Sequence, residues 1–123
     1  MEKIYTKNAP EAIGPYSQAI KSGNILFTSG QIAINPQSSC VEVNDIKGQT
    51  EQVCKNISAL LEASGTSFDK VIKTTCFLAD MNDFAVFNEI YATYFTSKPA
   101  RSCVAVKTLP KNVLVEIEVI AEI

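Results

Sequence analysis

Apolar residues recur along this chain with two periods, and the switches between them outline a fold. Between Asn44 and Gly65, the residues Ile46, Val53, Ile57, Leu60 and Leu61 fall on one face at the period of a helix. Asn44 or Asp45 can cap its start, and Gly65 supplies its stop. A second helix is predicted from a cap at Asp80 or Asn82. Its stripe of Phe84, Phe87, Ile90, Tyr91, Tyr94 and Phe95 is most simply a core face packed on a sheet.

The remaining apolar runs read as strands. Ile4-Tyr5 is a candidate edge strand, and Asn8–Pro15, with its prolines and a glycine, reads as a loop. Ser17–Lys21 and Asn24–Thr28 bracket Ser22-Gly23, a hairpin signal. The second strand is expected to run on through Gly30 to Ile34, with Gly30 marking a bulge or a close backbone approach. Asn35–Ser39 reads as a loop. Val71–Leu78, Arg101–Val106 and Val113–Ile120 complete the strands, the last two separated by Leu109–Asn112. This order predicts an α+β fold with one mixed sheet of about six strands and two helices on one face. Without linkers or repeats, residues 1–123 read as a single domain.

Alternation in the last strand says something about the other face. Val113, Val115, Ile117 and Val119 point one way, and Leu114, Glu116, Glu118 and Ile120 the other. Carboxylates mixed with aliphatics suit burial against another subunit better than open solvent.

Composition narrows the chemistry. The net charge is −2, which gives no general drive toward nucleic acid or anionic membranes. No apolar run approaches the ~20 residues needed to span a bilayer, and Met1-Glu2-Lys3-Ile4-Tyr5 lacks the character of a signal peptide, so a cytoplasmic protein is expected. There is no histidine, which removes Ser-His and Cys-His nucleophile pairs, His-ligated zinc and histidine acid–base shuttles. Cys40, Cys54, Cys76 and Cys103 are scattered and read as free thiols rather than a metal site, with Cys54 and Cys76 acting as small apolar core residues. Paired carboxylates such as Glu116 and Glu118 can signal a glycosidase. A short chain with no tryptophan and no cleft-forming insertion argues against it.

Arg101 is the one arginine, in Pro99-Ala100-Arg101-Ser102-Cys103, and the ten other cations are all lysines. A guanidinium can grip a carboxylate through two parallel hydrogen bonds, which an ammonium cannot. The plain alternative is a structural salt bridge. One of Glu116 and Glu118 is a candidate for orienting a water beside whatever Arg101 holds, the plain alternative being a solvated acidic pair on a strand.

Taken together, Ala12-Ile13-Gly14-Pro15-Tyr16-Ser17-Gln18-Ala19, Thr28-Ser29-Gly30-Gln31-Ile32, Pro99-Ala100-Arg101-Ser102-Cys103, Leu109-Pro110 and Val115-Glu116-Ile117-Glu118 resemble the reactive-intermediate deaminase family, the RidA group of the YjgF proteins, over nearly the whole chain. The resemblance implies a chorismate-mutase-like fold and a homotrimer with pockets between subunits. It implies metal- and cofactor-independent hydrolysis of enamines and imines such as 2-aminoacrylate to 2-keto acids and ammonia. It places the substrate-binding arginine on Arg101 and the water-positioning glutamate on Glu116. Tyr16, Ser29, Gly30, Asn88 and Cys103 then fall on pocket positions. One departure is the connection Thr96-Ser97-Lys98, which is short for the family and has no aromatic before Pro99; it bears on the pocket rim and on substrate size.

Two alternatives belong to other classes. The same pocket could capture a small carboxylate, such as a 2-keto acid, and act as a regulatory module without turnover. A ribonuclease, an activity also attached to the family, fits poorly with the negative charge, the missing histidine and the absence of a basic stripe.

Overall fold

Strand β1 (Glu2–Ile4), β2 (Ala19–Ser22) and β3 (Ile25–Thr28) open the chain, followed by a small separate hairpin of β4 (Ile34–Asn35) and β5 (Cys40–Val41). Helix α1 (Ile46–Ala63), strand β6 (Val71–Leu78), helix α2 (Phe84–Tyr94), strand β7 (Ala100–Ala105) and strand β8 (Val115–Glu122) complete it. These elements come from a computed structural model that describes residues 1–123. The main sheet has six strands in the order β1-β2-β3-β8-β6-β7, antiparallel throughout except for β6 beside β7.

Local chemistry accounts for the helix ends. The Asp45 side chain accepts from the Gly48 N–H, and Gly65 closes α1 in a left-handed conformation at φ 80°. The Thr66 N–H reaches back to Leu61 and the Gly65 N–H to Glu62, so two late carbonyls of the helix are satisfied. At the second helix, Asp80 accepts from the Asn82 N–H and caps a short turn that leads into α2 proper.

The helices pack on one face of the sheet around Leu26, Val53, Ile57, Leu61, Phe87, Val115 and Ile117, all buried. Cys54 and Cys76 lie fully inside this core. Along β8, Val115, Ile117, Val119 and Ala121 are buried while Glu116, Glu118 and Ile120 are not, so the predicted alternation holds. The second face is uncovered by this chain and exposes Phe27 and Val104.

Several boundaries differ from the sequence expectation. The edge strand is Glu2–Ile4, so Tyr5 lies outside it. The hairpin turn is Gly23-Asn24, because Ser22 pairs with Ile25 and Gly23 takes the left-handed backbone. Strand β3 does not run on to Ile34. It stops at Thr28, whose Oγ1 accepts from the Val119 N–H at 3.0 Å, and the chain rejoins β8 at Gln31 opposite Ile117. From Phe27 to Gln31 it advances four residues while β8 advances three, from Ile120 to Ile117. The extra residue makes a bulge at Ser29-Gly30. The stretch read as the loop Asn35–Ser39 closes the β4-β5 hairpin, whose two-residue strands are too short to show a period.

Candidate functional site

The residues that the sequence analysis brings forward separate into two groups on opposite faces of the sheet. In β7, Arg101 lies opposite Thr74 and Cys103 opposite Cys76, and both β6 residues are buried beneath the helices. In β8, Glu116 lies opposite Phe77 and Glu118 opposite Thr75, on the uncovered face. One chain therefore does not bring Arg101 and Glu116 into one site.

The first group sits at the edge of the sheet. Arg101 on edge strand β7 and Asn88 on α2 border a cleft of about 580 Å³, whose rim includes Lys98 and Pro99. The Arg101 guanidinium carbon lies 4.8 Å from the Tyr91 ring centroid and 5.4 Å from that of Phe84. Both rings come from α2, as does Asn88, whose Oδ1 accepts from Arg101 Nη1 at 2.7 Å. The partners are thus two aromatic faces and a neutral amide, not the carboxylate of a structural salt bridge. A guanidinium carries five N–H donors, and its plane is fixed here with most of them unspent. Tyr91 is itself held, with its hydroxyl 2.7 Å from Thr74 Oγ1 and its ring stacked on Phe95 at 4.3 Å. Phe84, Asn88 and Tyr91 recur at four- and three-residue steps on one helix face. That spacing is the signal by which the two aromatics could have been tied to Arg101 rather than assigned only to the core.

Cys103 shares this face but lines neither this cleft nor the cavity described next; it packs against the core. Burial pushes its thiol up, and Arg101 nearby only partly opposes that. Burial also pushes the Cys76 thiol up, to about 12. Such groups stay protonated and are poor nucleophiles.

The second group lines a cavity of about 350 Å³ formed by Ile13, Tyr16, Ser29, Gly30, Ile32 and Pro110 around Glu116. The bulge creates it. A Cβ built on Gly30 would stand 2.0 Å from Glu116 Oε2 and 2.8 Å from its carboxyl carbon, so only glycine lets this carboxylate lie flat against the backbone. Burial raises the Glu116 pKa, and the neighbouring Glu118 raises it further, with no cation or donor pulling it down. The Tyr16 hydroxyl accepts from the Ile13 N–H at 3.2 Å, which leaves its own proton available to a ligand. Ser29 Oγ donates to the Ser17 carbonyl at 2.6 Å, so this hydroxyl can meet a ligand only as an acceptor. The apolar wall of Ile13, Ile32 and Pro110 was not anticipated, and no spacing in the sequence marks it.

Buried amides hold these loops in place. Gln18 Nε2 donates to the carbonyls of Thr6, Ala9 and Pro10, which pins the segment leading to Tyr16. Asn56 on α1 donates to the carbonyls of Ile32 and Ile34. Gln49 accepts from the Leu114 N–H and so fixes the entry to β8. No group of three or more Cys, Asp or Glu side chains is placed to hold a metal ion, and no helix is long and apolar enough to cross a membrane.

Comparison with known proteins agrees with this architecture over its whole length. The family model of endoribonuclease L-PSP matches residues 6–123. A RutC family protein of Pyrococcus horikoshii is 60% identical over 121 residues, spanning 98% of this chain and 96% of that protein. The 2-iminobutanoate/2-iminopropanoate deaminase of Escherichia coli is 48% identical, spanning 96% of this chain and 94% of the enzyme. A crystal structure of a Rid family protein from Yersinia pestis is 55% identical and superposes with a TM-score of 0.96, covering 99% of this chain and 98% of the other. Sequence and fold together make this chain a member of the endoribonuclease L-PSP family, to which the RutC and Rid proteins belong.

Proposed function

We infer that the protein hydrolyses small reactive enamines and imines that carry a carboxylate, such as 2-aminoacrylate, to 2-keto acids and ammonia. The observation that carries this reading is the pair of complementary half-sites. One presents a fixed, largely unspent guanidinium fork. The other presents a carboxylate with a raised pKa in a cavity of about 350 Å³. The deaminase name of the Escherichia coli relative points the same way.

The chemistry asks little of a protein. An imine carbon is already electrophilic, so no covalent nucleophile is needed. Arg101 holds the substrate carboxylate, and Glu116 takes a proton from a water as that water adds to the carbon. That proton passes to nitrogen to give the carbinolamine. The hydroxyl proton then follows it through the same carboxylate, and as the C=O bond forms the C–N bond breaks, releasing ammonia and a 2-keto acid. An enamine such as 2-aminoacrylate first takes a proton at its terminal carbon and gives one up at nitrogen to reach the imine. A glutamate whose pKa lies above the ordinary value both accepts and returns that proton more readily near neutrality. Ser29 and the Gly30 backbone border the same space, and Tyr16 has a proton to offer a substrate oxygen or nitrogen.

Because the halves lie on opposite faces of one sheet, the complete site needs a second copy of the chain. Arg101 stands on an edge strand, and the uncovered face beside Glu116 exposes apolar Phe27 and Val104, which supports its closure against a neighbouring subunit. A homotrimer with three such sites is the assembly this reading calls for.

The test is a serine or threonine dehydratase that supplies the unstable intermediate while keto-acid formation is followed. The protein should accelerate the second step without an added cofactor. Arg101→Lys should lose about as much as Arg101→Ala, roughly tenfold to a hundredfold, because the charge survives but the two-bond grip does not. Melting temperatures should stay close to wild type. Arg101-dependent binding of a 2-keto acid without any acceleration would instead identify a regulatory binding module.

A further inference from the structure

The rim of the Arg101 cleft carries a feature that hydrolysis of the smallest imines does not need. Lys98 lines this cleft together with Arg101, and no Asp or Glu lines it. In a chain whose net charge is −2, two cationic residues therefore border one recess with no acid among its walls. At about 580 Å³ the cleft is within the size range of sites for ligands larger than a three-carbon acid.

Lys98 is held there against its backbone preference. Its φ is 51°, in the left-handed region that non-glycine residues rarely occupy, and it precedes Pro99, a position that favours extended backbone. The surroundings impose this conformation. Ser97 Oγ donates to the Val71 carbonyl at 2.8 Å and ties the loop to β6. The Lys98 N–H donates to the Phe95 carbonyl at 3.2 Å and ties it to the end of α2. Non-glycine residues in unfavourable backbone regions cluster at ligand sites. On the other side of the loop, Lys98 also borders a shallow groove with Asp69 and Glu122, which offers a purely structural use for the charge.

We propose that Lys98 is a specificity residue that gives the Arg101 cleft a second anion-binding point, so that its preferred substrates are dicarboxylic 2-imino acids and its product-like ligands dicarboxylic 2-keto acids. This rests on the reading of Arg101 as the grip for the 2-carboxylate. Arg101 takes that group through its fork, and the Lys98 ammonium meets the distal carboxylate as a point charge. The pairing is weakened by salt, because Lys98 is exposed at the rim.

The experiment is calorimetric titration of the full-length protein with 2-oxoglutarate and with 2-oxobutanoate at low and high ionic strength. Wild type, Lys98→Gly and Arg101→Lys are compared, since glycine keeps the left-handed backbone without strain. Wild type should bind 2-oxoglutarate about tenfold more tightly at low salt, and the preference should shrink at high salt. Lys98→Gly should lose the preference through weaker 2-oxoglutarate binding, and Arg101→Lys should weaken both acids. Equal affinities in wild type, or a preference that survives Lys98→Gly, would overturn the proposal while leaving the Arg101 grip intact. So would a proportional loss of both acids in Lys98→Gly accompanied by a lower melting temperature, which would assign Lys98 to Asp69 and Glu122. Affinities unmoved by Arg101→Lys would overturn the grip and this inference together.

Discussion

The Arg101 cleft and the Glu116 cavity are built in opposite ways. The Arg101 cleft is assembled from neighbours in sequence, α2 and β7, with every close partner of the guanidinium between Phe84 and Tyr91. The Glu116 cavity draws on three segments that lie far apart in the chain, around Ile13–Tyr16, Ser29–Ile32 and Pro110–Glu116. One is an aromatic cradle stiffened by core packing. The other is a bulge and two loops tied down by buried amides. Substitutions in the first should act through the orientation of a single side chain, and those in the second through the spacing of segments.

The largest effect should come from separating the halves altogether. Arg101→Ala should lower turnover by roughly tenfold to a hundredfold and Glu116→Gln by about a hundredfold, order-of-magnitude figures for removing a substrate anchor and a proton carrier. If each site takes its halves from different chains, mixing and reassembling the two inactive variants should recover roughly a quarter of wild-type activity, the random share of sites with both intact halves. No recovery from well-assembled mixtures would place both halves in one chain's site.

Gly30→Ala should separate fold from function in the Glu116 cavity. The new methyl would collide with the end of a flexible side chain, so Glu116 must swing away while the backbone accepts alanine without a positive φ. Activity should fall by at least about tenfold, the scale of an ångström-sized misplacement. The melting temperature should hold or rise slightly, since alanine restricts the unfolded chain.

Tyr91 probes the other half. Tyr91→Leu removes the ring beneath Arg101, an interaction of about 0.5–2 kcal/mol, and should raise KM several-fold with a smaller change in kcat. Tyr91→Phe keeps the ring and loses only the bond to Thr74, at a stability cost of about 1 kcal/mol, so it should restore KM. A raised KM in the phenylalanine variant would show that the cradle depends on the Thr74 anchor rather than on the ring face.

The smallest effect should be a shift in pH. In the proposed reaction Glu116 works as a base in its ionised form, and its pKa is raised, so activity should fall on acidification at a pH above the ordinary glutamate value of 4.5. Glu118→Gln removes one of the causes and should move that acid limb to lower pH without abolishing turnover. The effect on stability has the opposite sense. The folded state holds the Glu116 proton more tightly than the unfolded state, so stability should fall as pH rises from about 4.5 through the raised value. Glu116→Gln should flatten that part of the curve in thermal unfolding.

Much of this molecule is legible in its pattern of residues because the signals are local. The periods of α1 and β8, the cap at Asp45, the stop at Gly65 and the two faces of the last strand each depend on a few neighbouring residues and agree with expectation. Asp80, read with Asn82 as the cap of the second helix, instead caps the short turn before it, and α2 starts at Phe84 without a side-chain cap. A lone arginine, an absent histidine and a set of ordered motifs were enough to single out Arg101 and Glu116. The end of β3 at Thr28, the β4-β5 hairpin and the Gly23-Asn24 turn were not legible, because each is decided by which carbonyl or N–H of another strand is within reach. The same holds for the site. The register of β7 on β6 and of β8 on β6 sends Arg101 to the helix side and Glu116 to the open side. A strand's alternation can be read along the chain. Which of its faces meets the helices is settled only when the strands pair, and it is that pairing which places Arg101 and Glu116 on different sides of the sheet.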